Sequence, residues 1–184
     1  MSNLAETITN EKEKLVLRIY YDETTSLHHW LDEEGPQIYY KHRRYSLGQH
    51  ELDPMGFGSE EELIQWLKDE KGAKTVKKLY AHEHGSITVK AGDTNPFTCP
   101  WDSGQVGFVT SHKKDDDENI HALIRIVDMC LQSQVYYLTV SKLQENGEEE
   151  EIDSCGGVLD DTYYQGCEDF AEREMGWIPL PKKG

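Results

Sequence analysis

The apolar residues of this chain fall in short segments that alternate with polar ones, and this pattern limits the folds open to it. In Leu15–Tyr21, residues 15, 17, 19 and 21 are apolar or aromatic, and Arg18 lies between them. Side chains two residues apart on a strand point to the same face, so the segment predicts a strand with one buried face. Strands of this kind are typical of antiparallel sheets covered on one side.

Further strands are predicted along the chain. A second strand is expected from Ile38 to Leu47, after a turn at Gly35-Pro36, and we expect it to pair with the first in a long-looped hairpin. Shorter strands are predicted over residues 79–83, 87–90 and 106–110. A late hairpin, residues 135–143 and 151–155, is indicated by the tight-turn pair Asn146-Gly147, with Gly156-Gly157 ending its pairing.

Three helices are also predicted. Ser59 and Glu62 form a capping-box pattern before an apolar stripe, and Gly72 ends that run. A second helix is expected from Asp116 or Asp117, because residues 120, 123, 124, 127 and 131 form one apolar face. A short third helix is predicted over residues 167–175.

This order of elements predicts an α+β fold, a mostly antiparallel sheet with two or three helices packed on it. Residues 1–14 have no clear period, and we expect them to be a flexible or short helical N-terminal arm. The remaining residues, 15–184, are predicted to form a single α+β domain, since this length fits one core.

The charge balance excludes several classes of partner. The 184 residues include 35 acidic and 19 basic side chains, which gives a formal net charge of -16. Such a chain is repelled by nucleic-acid phosphates and by anionic lipids, which clustered Lys and Arg would have to neutralise. We therefore expect no direct nucleic-acid partner and no membrane partner.

The sequence lacks the features of a membrane or exported protein. No apolar run approaches the ~20 residues of a membrane helix, and the start of the chain has no apolar signal core. The four cysteines form no CxxC pair and are too sparse for a disulfide scaffold, so we expect reduced thiols in a cytoplasm. We expect a cytoplasmic protein without a cofactor.

Two acidic runs, residues 115–118 and 148–151, carry much of the charge. One interpretation is that they are a solvated helix start and a hairpin tip. The other is that they form an acidic surface, which would bind the basic, nucleic-acid-binding face of another protein.

The most unusual segment runs from Pro96 to Phe108 and contains Cys-Pro-Trp-Asp-Ser-Gly-Gln-Val-Gly-Phe from Cys99 onward. With Tyr80–Val89 before it, and more weakly with Tyr136–Thr139 and Asp153–Gly157 after it, the segment resembles an uncharacterised family of small proteins from bacteriophages and bacterial mobile elements. The resemblance implies a phage-type origin, and a bacterial host cytoplasm as the location. It implies no mechanism.

The segment has three chemical interpretations. In the first, Cys99 is a nucleophile with His82 or His84 as its base and Asp102 or Asp153 as the orienting carboxylate. In the second, His82 and His84 share a strand face and bind a metal with Cys99 or Asp102.

In the third interpretation, which we favour on sequence, the loop is structural. Trp101 fills the core, Asp102 and Ser103 cap backbone N–H groups, and Gly104 and Gly107 permit turns or a close approach of strands. No catalytic residue or metal site is therefore assigned from the sequence.

The expected function is that of an acidic, non-enzymatic protein-binding module that acts on a host protein, such as an inhibitor of defence or nucleic-acid machinery. The predicted binding residues come from the two motifs and are Trp101, Asp102, Ser103, Gln105, Asp153 and Cys155. The alternatives are a small hydrolase or transferase centred on Cys99, and a minor structural protein of the virion.

Overall fold

The protein is described by a computed structural model that covers residues 3–53 and 56–180. The strands in these ranges are β1 (Leu4–Asn10), β2 (Leu15–Tyr21), β3 (Gln37–Tyr40), β4 (His50–Glu51), β5 (Thr75–His84), β6 (Ser86–Gly92), β7 (Ser103–Ser111), β8 (Val135–Leu143) and β9 (Glu149–Leu159). The α-helices are α1 (Glu60–Asp69), α2 (Asp117–Leu131) and α3 (Gln165–Glu174). The predicted α+β class is confirmed.

The chain divides into two compact units. The terminal unit contains the residues up to Ser26 and those from Ser133 onward, and the inserted unit is Leu27–Gln132. The prediction of one domain over residues 15–184 stays a prediction, since two compact units can fold as one cooperative body.

The terminal unit is built on a four-stranded antiparallel sheet with the strand order β1, β2, β8, β9. Leu15, Leu17 and Ile19 are buried on one face of β2, as their alternation predicts. Residues of α3 pack in the same core, and Trp177, which follows that helix, is 1% exposed. One helix on one sheet face is the arrangement expected of a half-buried antiparallel sheet.

The first strand corrects the expectation for the N-terminal arm. Residues 1–14 are predicted to be flexible or helical, but Leu4–Asn10 form β1 and pair antiparallel with β2. Residues 1 and 2 lie outside the described residues. The free edge of β2 supplies hydrogen-bond partners for this backbone, which the side-chain pattern of the arm does not reveal.

The predicted hairpin between the first two long strands is wrong. β2 pairs with β1 and β8, whereas β3 belongs to the sheet of the inserted unit. The second strand is also shorter than expected, because it ends at Tyr40. The His42 ring then accepts hydrogen bonds from the Arg44 and Tyr45 N–H groups, which turns the chain.

The late hairpin is confirmed, but Gly156-Gly157 do not end it. β9 continues through both glycines to Leu159. The register with β8 shifts where the glycines lie, between Tyr136 and Leu138, so the irregularity is a bulge inside the strand.

The inserted unit contains a five-stranded sheet with the order β4, β3, β7, β5, β6, antiparallel except for the pair of β3 and β4. Its two faces pack against different helices. Ile120, Ile124 and Val127 of α2 lie in one cluster of buried residues, and Leu63 and Leu67 of α1 lie in another. The second cluster includes Tyr39 and Phe108, paired residues of neighbouring strands whose rings share a sheet face.

The predicted starts of the first two helices are confirmed, and the third helix begins at Gln165, two residues before its predicted start. The Ser59 hydroxyl accepts a hydrogen bond from the Glu62 N–H at 3.2 Å, as a capping residue does. The Glu62 carboxylate reaches back to the Gly58 N–H rather than to Ser59. Among the described residues, no helix combines the length and apolar composition needed to cross a membrane.

Candidate functional site

The candidate site lies in the inserted unit, where the segment 93–102 connects β6 to β7; we call this segment the display loop. Side-chain hydrogen bonds connect residues within it and connect it to β7. The Asn95 amide donates to the Ser103 hydroxyl at 3.0 Å, and that hydroxyl donates to the Cys99 carbonyl at 2.6 Å. The Asn95 side-chain oxygen Oδ1 also accepts a hydrogen bond from the Phe97 N–H at 3.0 Å. The loop is therefore tied to the first residue of β7.

The end of β5 supplies the other wall of the site. His82 pairs with Ser103 across the strands, and the Glu83 N–H donates to the Asp102 carbonyl at 2.8 Å. The Phe97 ring stacks on the His82 ring, with centroids 5.4 Å apart. These contacts fix the loop against the strand that carries both histidines.

Four side chains with metal-binding or acid–base chemistry converge here. One ligating atom each of His82, Cys99 and Asp102 lies within 4.8 Å of the other two. The Cys99 thiol donates a hydrogen bond to Asp102 Oδ2 at 3.4 Å. His84 Nδ1 lies 3.4 Å from the same oxygen. The residues of the inserted unit that are named in the first two interpretations are thus brought together, and Asp153 belongs to the terminal unit.

Trp101 does not fill the core. The residue is 93% exposed, so this part of the structural interpretation is wrong. The preceding Pro100 restricts the backbone, and the following Asp102 is held by β5, so the indole is left on the solvent side of the turn.

The expected N–H caps are also wrong. The Asp102 carboxylate accepts from the Cys99 thiol, and the Ser103 hydroxyl donates to a carbonyl. The prediction for Gly107 is confirmed, because a Cβ on that residue would lie 2.1 Å from the Tyr39 carbonyl oxygen of the neighbouring strand.

Gln105 is an exposed residue of β7 that serves another contact. It hydrogen-bonds Glu60 at the start of α1, where the Lys78 ammonium lies 2.6 Å from the same carboxylate. The hydrogen bonds from Lys78 and Gln105 lower the pKa of Glu60.

Asp153 and Cys155, the two remaining predicted binding residues, lie on β9 of the terminal unit. Asp153 accepts a hydrogen bond from the N–H of its neighbour Ser154. Cys155 is half-buried, packs against the core of its unit and donates to the Gly156 carbonyl at 3.6 Å.

The motif around these two residues depends on Asp22, which sequence reasoning did not single out. The Asp22 carboxylate accepts hydrogen bonds from the N–H and hydroxyl groups of Thr24 and Thr25, and from the Gly157 N–H. Partial burial would raise the pKa of this carboxyl, but the hydrogen bonds from the Thr25 and Thr24 hydroxyls and from the Thr25 and Gly157 N–H groups outweigh it and lower the pKa well below its usual value. Two threonines shortly after an aspartate are a turn signal that could have revealed it.

A charge cluster that includes residues of the basic run Lys41–Arg44 lies beside the site. His42 Nε2 lies 2.5 Å from Glu83 Oε1, and Arg44 forms an ion pair with the same carboxylate. Arg44 and His42 together lower the pKa of Glu83. His42 and Arg44 of this bend are therefore paired with an acidic residue of the same unit.

No protein-family model matches the chain, and no curated protein or solved structure is significantly similar to it. The resemblance to phage proteins stays an expectation, and function has to be inferred from the geometry of the site.

Proposed function

We propose that the protein is a non-enzymatic binding module that inserts Trp101 into an apolar pocket on a partner protein. The observation that carries this proposal is the 93% exposure of an indole on a loop whose backbone is tied down by hydrogen bonds. Tryptophan is enriched among the few residues that supply most of the energy of protein interfaces.

The magnitudes favour a role in recognition. Burying a tryptophan removes about 150–250 Å² from water, which corresponds to roughly 4–6 kcal/mol at about 25 cal/mol per Å². In the free protein this contribution is unused. Because the display loop is already ordered, association would lose less conformational entropy than with a mobile loop.

The charge distribution supports a partner with a basic surface. Within the whole sequence, the terminal unit holds 17 acidic and 7 basic residues and the inserted unit 18 and 12, which gives formal charges of -10 and -6. Charge of one sign accelerates encounter with an oppositely charged protein and repels nucleic acid. The resemblance to phage proteins adds the expectation that the partner is a host protein, such as a nucleic-acid-binding component of defence machinery.

The test is capture from a bacterial lysate at moderate salt with three baits: the wild type, Trp101→Ala and Tyr163→Ala. Tyr163 is the matched control, because it is 97% exposed but lies in the terminal unit. We expect a stoichiometric partner with the wild type and with the Tyr163 variant, and its loss with the Trp101 variant. The proposal fails if repeated trials with the wild type recover no stoichiometric partner, or if the Trp101 variant captures it equally well.

A thiol-dependent enzyme is the second candidate, favoured by the grouping of His82, Cys99 and Asp102. Its weakness is the hydrogen bond of the thiol, which goes to Asp102 rather than to a histidine base. Labelling with a mild thiol electrophile, followed by mass spectrometry, separates the candidates. Preferential labelling of Cys99 over the half-buried Cys155 would support the enzyme, and equal labelling would exclude an activated thiol.

The other two thiols serve as internal references in that experiment. Burial raises the pKa of Cys130 to about 11, and burial also raises the pKa of Cys167 far above its ordinary value. Because the thiolate is the reactive form, both should label slowly near neutral pH.

A further inference from the structure

Four side chains at the candidate site form a donor set of two imidazoles, one thiol and one carboxylate. His82 and His84 come from one face of β5, and Cys99 and Asp102 come from the display loop. Their convergence joins two chain segments about 15 residues apart in sequence, so it does not follow from sequence adjacency.

We propose that His82, His84, Cys99 and Asp102 form a tetrahedral Zn²⁺ site. This goes beyond the proposed function, and zinc binding can be measured without any partner. Zinc binds thiolate at about 2.3 Å and imidazole or carboxylate at about 2.0–2.2 Å, which places the ligand atoms of a tetrahedral shell roughly 3.3–3.8 Å apart.

The observed separations approach that geometry. Cys99 Sγ and His84 Nδ1 each lie 3.4 Å from Asp102 Oδ2, and the ligating atoms of His82, Cys99 and Asp102 are within 4.8 Å of one another. To complete the shell, His82 has to move toward the other ligands, since 4.8 Å exceeds the tetrahedral separation, and the exposed His84 side chain has to reorient. Asp102 lies close to two of the other donors, because both 3.4 Å separations involve its carboxylate.

The local fold explains how the donors are placed. Residues 82 and 84 are two apart on a strand and therefore share a face. The pairing of His82 with Ser103 brings Asp102, the residue before Ser103, to the same edge. A tight turn between Cys99 and Asp102, closed by the Ser103 hydroxyl, returns the thiol toward the histidines.

The donor types select the metal. Magnesium and calcium prefer shells made of oxygen, whereas a thiolate with two imidazoles suits zinc. On binding, the Cys99 thiol exchanges its hydrogen bond to Asp102 for a sulfur–zinc bond, and its proton passes to solvent. No redox step is involved.

A bound zinc ion would have a structural consequence for the display loop. It would join Cys99 and Asp102, which flank Pro100 and Trp101, directly to β5. The indole would then be held by a metal-closed turn, in addition to the Asn95 and Ser103 hydrogen bonds.

The experiment is titration of the full chain, freed of metal with a chelator, with Zn²⁺ and then with Co²⁺ as a spectroscopic substitute. Native mass spectrometry counts the zinc ions, calorimetry measures their affinity, and absorption of the cobalt form reports thiolate ligation and tetrahedral geometry. We expect one ion per chain and a sulfur-to-cobalt charge-transfer band in the near ultraviolet.

Variants assign the ligands. Cys99→Ser should abolish the charge-transfer band, and it and His84→Ala should each weaken zinc binding by at least about tenfold, since even outer-shell partners of a metal ligand contribute that much. The controls are Cys155→Ser, another half-buried thiol, and His28→Ala, another exposed histidine. Both should bind zinc like the wild type.

Loss of a zinc ligand can be distinguished from misfolding, because the His84 side chain is 80% exposed. Its removal should leave the circular dichroism spectrum and the unfolding midpoint unchanged. The proposal is overturned if the wild type binds no zinc at micromolar concentrations, or if Cys99→Ser and His84→Ala bind it as tightly as the wild type. Either result leaves the Trp101 capture experiment unaffected, so the two proposals can fail separately.

Discussion

The two sequence motifs of this protein end in different roles. In the terminal unit, the motif around Gly156 and Gly157 contributes to packing within the fold. The Gly157 N–H donates a hydrogen bond to Asp22, and a Cβ on Gly156 would lie 3.1 Å from the Asp22 carboxylate. In the inserted unit, the display loop leaves its largest side chain, Trp101, in water. A large apolar side chain that is exposed on a loop and not packed in the core is a reasonable candidate for a binding function.

The division between packing and display also runs inside the motif Pro96–Phe108. Gly107 is buried against the backbone of β3, whereas a Cβ on Gly104 would meet no atom within 4 Å. We therefore expect the loss in the free energy of unfolding to be largest for a substitution at the Gly107 backbone contact and smallest for one at the Trp101 indole.

The largest effect is expected for Gly107→Ala. Its Cβ would overlap the Tyr39 carbonyl oxygen and force β3 and β7 apart, so we expect a loss of about 3 kcal/mol in the free energy of unfolding. Urea denaturation measures it. Gly104→Ala is the matched control and should change that free energy by less than about 0.5 kcal/mol. Equal losses of unfolding free energy for the two substitutions would contradict the proposed distinction between the packed and exposed parts of the motif.

A smaller loss is expected for Asp22→Ala in the terminal unit. Five donors would lose their shared acceptor, among them the Gly157 N–H, so the free energy of unfolding should fall by about 2 kcal/mol. Asp153→Ala is the control, because its recorded hydrogen bond is to the neighbouring Ser154 N–H, and it should have little effect. A stable Asp22 variant would mean that the glycine motif is not held by this carboxylate.

The same carboxylate predicts a dependence on pH. Because the pKa of Asp22 is lowered in the folded protein, its contribution to stability is present above the unfolded value near 4 and is lost as the pH falls below it. Asp22→Asn removes this titration, so the variant should lose about 1–2 kcal/mol less stability than the wild type between pH 5 and pH 2. Acid denaturation followed by circular dichroism checks this, and parallel curves would contradict it.

The local parts of the fold could be predicted from the sequence, and the non-local parts could not. The stripe through Ile120 and Val127 and the cap at Ser59 depend on residues within one helix, and both predictions are confirmed. The pairing of β2 with β8 joins residues more than 100 positions apart. The pattern of β2 indicates a buried face but does not identify the neighbouring strand.

The candidate site shows the same limit. Its residue types and the shared face of His82 and His84 follow from the sequence, but their distance from Cys99 depends on how the display loop returns to β5. The prediction that Trp101 fills the core is wrong, because it followed the usual burial of tryptophan. The indole is exposed because Pro100 restricts the backbone before it and β5 holds Asp102 after it.

The central claim is that Trp101 is displayed for recognition and does not support the fold. Urea denaturation of Trp101→Ala, monitored by circular dichroism, tests this claim most directly. We expect the free energy of unfolding to stay within about 0.5 kcal/mol of the wild type, as for other exposed substitutions. A loss of about 3–5 kcal/mol, the usual cost of removing a buried aromatic side chain, would contradict it.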